Sequence, residues 1–71
     1  MQTIDETRAE ITRRARRGDY TVVAGLVGLA ADTVGRIVSG KRHNDAVIRR
    51  FVAYLDKRDE FEKQLVEGAG K

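Results

Sequence analysis

Between Arg13 and Arg17 the chain places four guanidinium groups in five positions, with no acid among them. A guanidinium offers a planar fork of N–H donors that matches two oxygens of a phosphate. The chemistry on offer is oxyanion binding at Arg13, Arg14 and Arg17. The competing assignment is a solvated run that neutralises the negative end of a helix. A second cationic pair, Lys41-Arg42, follows Gly40 and precedes His43 and Asn44, the composition of an exposed turn. Arg36 stands apart, four residues after Asp32 and three after Thr33. Covalent chemistry finds no support. The chain has no Cys and a single His, with no nucleophile–base pair and no carboxylate pair in an apolar setting. No enzyme, cofactor, metal site or small-molecule substrate is expected.

Charge distribution says more than the net value of +3. From Arg8 to Arg50 ten cations face four acids, whereas from Asp56 onward four cations face five acids. The positive field lies on the first two thirds of the chain. Such a face attracts phosphates in a sequence-independent, salt-sensitive way.

Seventy-one residues make one domain with a small core, so dimerisation or unusually good helix packing is needed for stability. There is no proline, and Val and Ile recur at helical spacing, which predicts an all-α fold. The start, Met-Gln-Thr-Ile-Asp-Glu, is polar and acidic, and no apolar run reaches membrane-span length. No signal peptide and no membrane are expected, and a cytoplasmic location is.

The elements that must position these groups are four or five helices in a compact domain, ending in a long C-terminal helix. Thr3 to Glu6 forms a capping box for a helix over about 4–17, with Ile4, Ile11 and Ala15 inward and Gly18 as its C-cap. Asp19 then caps a helix over about 20–27. Val23, Leu26 and Val27 share one side of it, and Val34, Ile37 and Val38 share one side of a helix over 31–39. Gly28 lies between them, where a left-handed conformation allows a sharp turn. Gly40 ends the third helix, and Asn44 caps a fourth over about 45–66. Its stripe Ile48, Phe51 and Leu55 belongs to the core. A second stripe, Val47, Tyr54 and Arg58, continued by Phe61 and Leu65, needs another partner: a second copy of the chain, or helix one by folding back. The charged run Asp56–Glu60 permits a break and a fifth helix, and 68–71 should fray.

Ala24, Gly28, Leu29, Thr33, Val34, Arg36, Ile37 and Val38, with this spacing, resemble the helix-turn-helix of bacterial and phage repressors, the lambda-repressor-like and lac-repressor-like families. The resemblance covers Val22–Lys41 and only loosely its flanks. It departs at Ala30, where the family carries a capping Ser or Thr, a loss of about 1 kcal/mol at that helix start. It departs again at Asp32 and Gly35, positions where the family often reads bases.

The resemblance implies a DNA-binding regulator of transcription from a bacterium or phage, nucleoid-associated and acting as a homodimer on double-stranded DNA. The 31–39 helix would enter the major groove. Its outward residues Ala31, Asp32, Thr33, Arg36 and Ser39 become the base readers, with Arg36 able to bond guanine O6 and N7 together. A surface ion pair of Arg36 with Asp32 is the competing assignment. Gly35 would admit the DNA backbone or a neighbouring helix. Phosphate contacts fall to Arg13, Arg14, Arg17, Tyr20, Thr21, Lys41, Arg42, His43 and Asn44. For Tyr20 the alternative is a ring packed on helix one or four. Val47, Tyr54, Arg58, Phe61 and Leu65 would form the dimer interface. A protein-interaction module that keeps this fold without DNA is the alternative function.

Overall fold

Helix α1 (Ile4–Arg14) starts where the sequence predicts. In the computed structural model, which describes residues 2–69 and side chains as far as Val66, both halves of the capping box form. The Glu6 amide donates to Thr3 Oγ1 at 3.2 Å, and the Thr3 amide donates to Glu6 Oε1 at 3.1 Å. Three further helices follow: α2 (Arg17–Val27), α3 (Ala31–Ser39) and α4 (Asp45–Ala69). All regular structure among the described residues is helical.

The junction of α1 and α2 differs from the expectation. Helix α1 stops at Arg14 rather than near residue 17, because Ala15 is extended (φ −73°, ψ 140°). Helix α2 begins at Arg17 rather than Tyr20, so Gly18 lies in its first turn instead of capping α1. Asp19 is the third residue of α2, not its cap, and its carboxylate accepts from the Arg16 amide at 2.7 Å. The physical reason lies across the domain. Asp19 is 5% exposed, accepts from the Tyr54 hydroxyl at 2.9 Å and pairs with Arg58. These partners stand one turn apart on α4, fix the carboxylate in the interior, and thereby fix where α2 starts.

Gly28 closes α2 in the left-handed conformation (φ 73°, ψ 31°), and the Leu29 amide reaches back to the Ala24 carbonyl at 3.0 Å. The chain then restarts as α3, bent by 107° from α2. Ala30 precedes α3 without any side-chain cap, as its methyl group dictates. Asn44 does cap α4: its Oδ1 accepts from the Val47 amide at 3.2 Å.

The core gathers Ile11 from α1, Val23 and Ala24 from α2, Val34, Ile37 and Val38 from α3, and Val47, Ile48, Phe51 and Leu55 from α4. Phe51 is fully buried, with the rings of Tyr20 and Tyr54 set edge-on against it at 5.2 and 6.4 Å. Leu26, expected inside, is 56% exposed. Val23 and Ala24 take the inward side of α2, and Leu26 points past them toward α4.

Helix α4 runs unbroken through the charged stretch, so the described residues form four helices and not five. Its 25 residues span roughly 37 Å at 1.5 Å per residue. Helix α4 extends to Ala69, three residues past the expected end near 66, while Gly70 and Lys71 of the expected frayed tail lie outside the described residues.

Candidate nucleic-acid interface

Helix α3 buries Val34, Ile37 and Val38 and turns its other side outward. Asp32, Arg36 and Ser39 are exposed, while Ala31 and Thr33 are half-buried. The expected pairing of Asp32 with Arg36 is absent: neither takes part in an ion pair among the described residues. The Arg36 guanidinium is therefore open. The Ser39 hydroxyl is engaged, donating to the Arg36 carbonyl at 3.1 Å. A Cβ added at Gly35 would meet nothing within 4 Å, so no neighbouring helix requires that glycine.

The turn after α3 is held from inside. Gly40 is left-handed (φ 90°), and the Lys41 and Arg42 amides both donate to the Arg36 carbonyl, at 2.9 and 3.2 Å. Their side chains remain exposed, as do His43 and Asn44. Thr33, Arg42, His43 and Asn44 line one shallow recess with Leu29 and Ile37, which joins one expected base reader to three expected phosphate ligands.

Arg8 fastens this corner to α1, a role the sequence did not suggest. Its Nε donates to the Ile37 carbonyl at 3.3 Å, where a cation also suits the negative end of α3. Its Nη1 pairs with Asp5 at 2.9 Å, and its Nη2 lies 3.2 Å from His43 Nδ1. A guanidinium only donates, so His43 Nδ1 is the acceptor in this contact. The local pair with Asp5 does not mark this role, because the partners on and after α3 lie 29 and 35 residues away.

The arginine cluster divides. Arg13 and Arg17 are exposed and outside every ion pair among the described residues. Arg14 is engaged internally with Glu10 at 2.6 Å and with Asp56 and Asp59, each at 2.9 Å. Arg16 grips Glu62 through both terminal nitrogens, at 2.7 and 3.2 Å. Asp59 and Asp56 push Arg14 above its ordinary range, and Glu62 does the same for Arg16. Arg14 and then Arg58 hold the Asp59 carboxyl below its usual value, and Gln2 and then Arg14 hold Glu10 below its own. Arg14 is thus a clamp between α1 and α4, its guanidinium engaged with three carboxylates.

Tyr20 packs its ring on Phe51 of α4, and burial raises its hydroxyl above the usual range. Thr21 is exposed one residue further on. Val47 is a core residue at 4% exposure, Tyr54 is bonded to Asp19, and Arg58 is tied to Asp19, Asp59 and Glu62. These three satisfy needs within one chain, whereas Phe61 and Leu65 stay 61% and 57% exposed and do not fold back on α1.

Among the described residues no group of three His, Cys, Asp or Glu is placed to hold a metal ion, and no single helix is long and apolar enough to cross a membrane. No family model, curated protein or solved structure matches the chain.

Proposed function

We propose that this chain is a sequence-specific DNA-binding protein of repressor type, a regulator of transcription working as a dimer, with α2 and α3 as its helix-turn-helix. The reading is carried by one observation: α3 crosses α2 at 107° and leaves Arg36 exposed and unpaired on its outer side. In the major groove that guanidinium meets guanine O6 and N7. Thr33 adds a hydroxyl and a methyl for a base or phosphate. Lys41 and Arg42 supply the sequence-independent attraction from the following turn, with Arg13, Arg17 and Thr21 as further cationic and hydroxyl contacts to the backbone.

The second reading, a protein-interaction module without DNA, draws on the thinness of the same face. Ala31 and Thr33 are half-buried and the Ser39 hydroxyl is already engaged, which leaves few groups to read bases. Selection of bound duplexes from a random pool separates the two. The DNA reading expects a palindrome with half-sites about 34 Å apart, one turn of duplex. It also expects Arg36→Ala to flatten preference among duplexes by about 1–3 kcal/mol per guanine lost. No retardation of any duplex at micromolar protein in about 50 mM salt, where phosphate attraction is strong, would overturn it.

A further inference from the structure

An open groove runs between α2 and α4, bordered by Leu26, Arg50, Ala53, Tyr54 and Lys57. Its floor is apolar and its rim cationic, and Arg50 and Lys57 are exposed without an ion pair among the described residues. Positions 50, 53, 54, 57, 61 and 65 repeat at three and four residues, so they follow one face of a helix. Phe61 and Leu65 therefore prolong this groove along the part of α4 that extends past α2. That face lies roughly a third of a turn from the Phe51–Leu55 side, which fills the core. Each chain thus carries both an apolar ridge, Phe61 and Leu65, and an apolar trough of similar length beside Leu26.

We infer that the ridge of one copy docks in the trough of a second copy, with the two α4 helices antiparallel about a two-fold axis near residue 58. This rests on the dimer in the proposed function but not on DNA binding. A two-fold contact must be self-complementary, and this face is. With the axis at residue 58, Leu65 falls between the partner's Arg50 and Ala53, beside Leu26. Phe61 falls between the partner's Tyr54 and Lys57. Charge fits as well. Glu60, exposed and outside every ion pair among the described residues, borders the ridge and lies opposite the partner's Lys57. The other acids of this region, Asp56, Asp59 and Glu62, are already held by Arg14, Arg16 and Arg58 on the far side of the helix. A parallel arrangement would instead set Lys57 against Lys57 and leave both troughs empty.

Sedimentation equilibrium on the full chain, without DNA, tests this. The wild type should have twice the chain mass, and Leu65→Glu and Leu26→Glu should each return it to the monomer with helicity by circular dichroism unchanged. Lys57→Glu and Glu60→Lys should each weaken association at least tenfold, and the double variant should recover most of the loss. A wild-type monomer at about 1 mM chain would overturn the inference, assigning the groove to another partner. So would a dimer indifferent to Leu26→Glu, or a double variant no better than the singles. A chain that binds a palindrome as a DNA-assembled pair yet fails these tests would retain the DNA reading and lose this interface.

Discussion

Arg14 and Arg16, at the junction of α1 and α2, and the arginines around the end of α3 are the same residue in similarly cationic stretches, yet they do opposite things. Arg14 and Arg16 face α4 where Asp56, Asp59 and Glu62 line up at helical spacing, and four guanidinium–carboxylate hydrogen bonds close the gap. Among the described residues Arg36 and Arg42 face no carboxylate and keep their donors for something else. A cation's role is decided by what the fold brings opposite it. The two regions also stand far apart. The turn after α3 adjoins the start of α4, whereas Arg14 meets α4 about 20 Å further along, at 1.5 Å per residue. The Arg14 clamp and the open turn after α3 are thus separate sites.

The contrast can be broken most forcefully at Asp19. Asp19→Ala removes the acceptor shared by the Arg16 amide, Tyr54 and Arg58 and leaves a buried guanidinium short of a partner, at a cost of about 3 kcal/mol. Urea denaturation measures this, and a loss below 1 kcal/mol would mean that the clamp region is not what sets the α1–α2 junction. Next comes a matched pair. Arg14→Ala should lower stability by about 1 kcal/mol and leave the salt dependence of DNA binding unchanged. Arg42→Ala should leave stability within about 0.5 kcal/mol and reduce the salt slope by about one. Equal effects of the two on both measurements would erase the distinction drawn above.

Gly35→Ala sharpens the open side. Nothing in the chain opposes the added methyl, so helix propensity alone should stabilise by up to about 1 kcal/mol. Retained stability with weakened duplex binding would mark close approach of DNA backbone at that position. The smallest effect is in acid. Asp59 and Glu10 are held below their ordinary values of 3.8 and 4.5, so their contribution is complete above those values. It is lost as pH falls through the lower folded-state values. Thermal melts from pH 6 to about pH 2 should show this decline, and Arg14→Ala should flatten it.

The three inner faces and most helix limits were legible because each rests on neighbours in sequence. Thr3 and Glu6 cap each other, Gly28 and Gly40 are left-handed, and Asn44 starts α4. The α1–α2 junction was not, because Gly18 and Asp19 carry good local signals for a boundary there. Two residues of α4, 35 and 39 positions away, overrule them. The same distance hid Arg8 and the engagement of Arg14. Within the candidate interface, the exposure of Arg36, Lys41 and Arg42 followed from helix phase and turn composition. The burial of Val47 and the internal bonds of Tyr54 and Arg58 did not, since their spacing fits an inward or an outward stripe equally well until α2 is placed beside them.

The Arg36 carbonyl gathers the Ser39 hydroxyl and the amides of Lys41 and Arg42. With those amides turned inward, the loop has little main chain to offer an anion and must grip through long, rotatable side chains. On the proposed DNA reading, a grip of that kind would tolerate variation in where the phosphate lies: a footing that adjusts to the groove, beneath a rigid helix that does not.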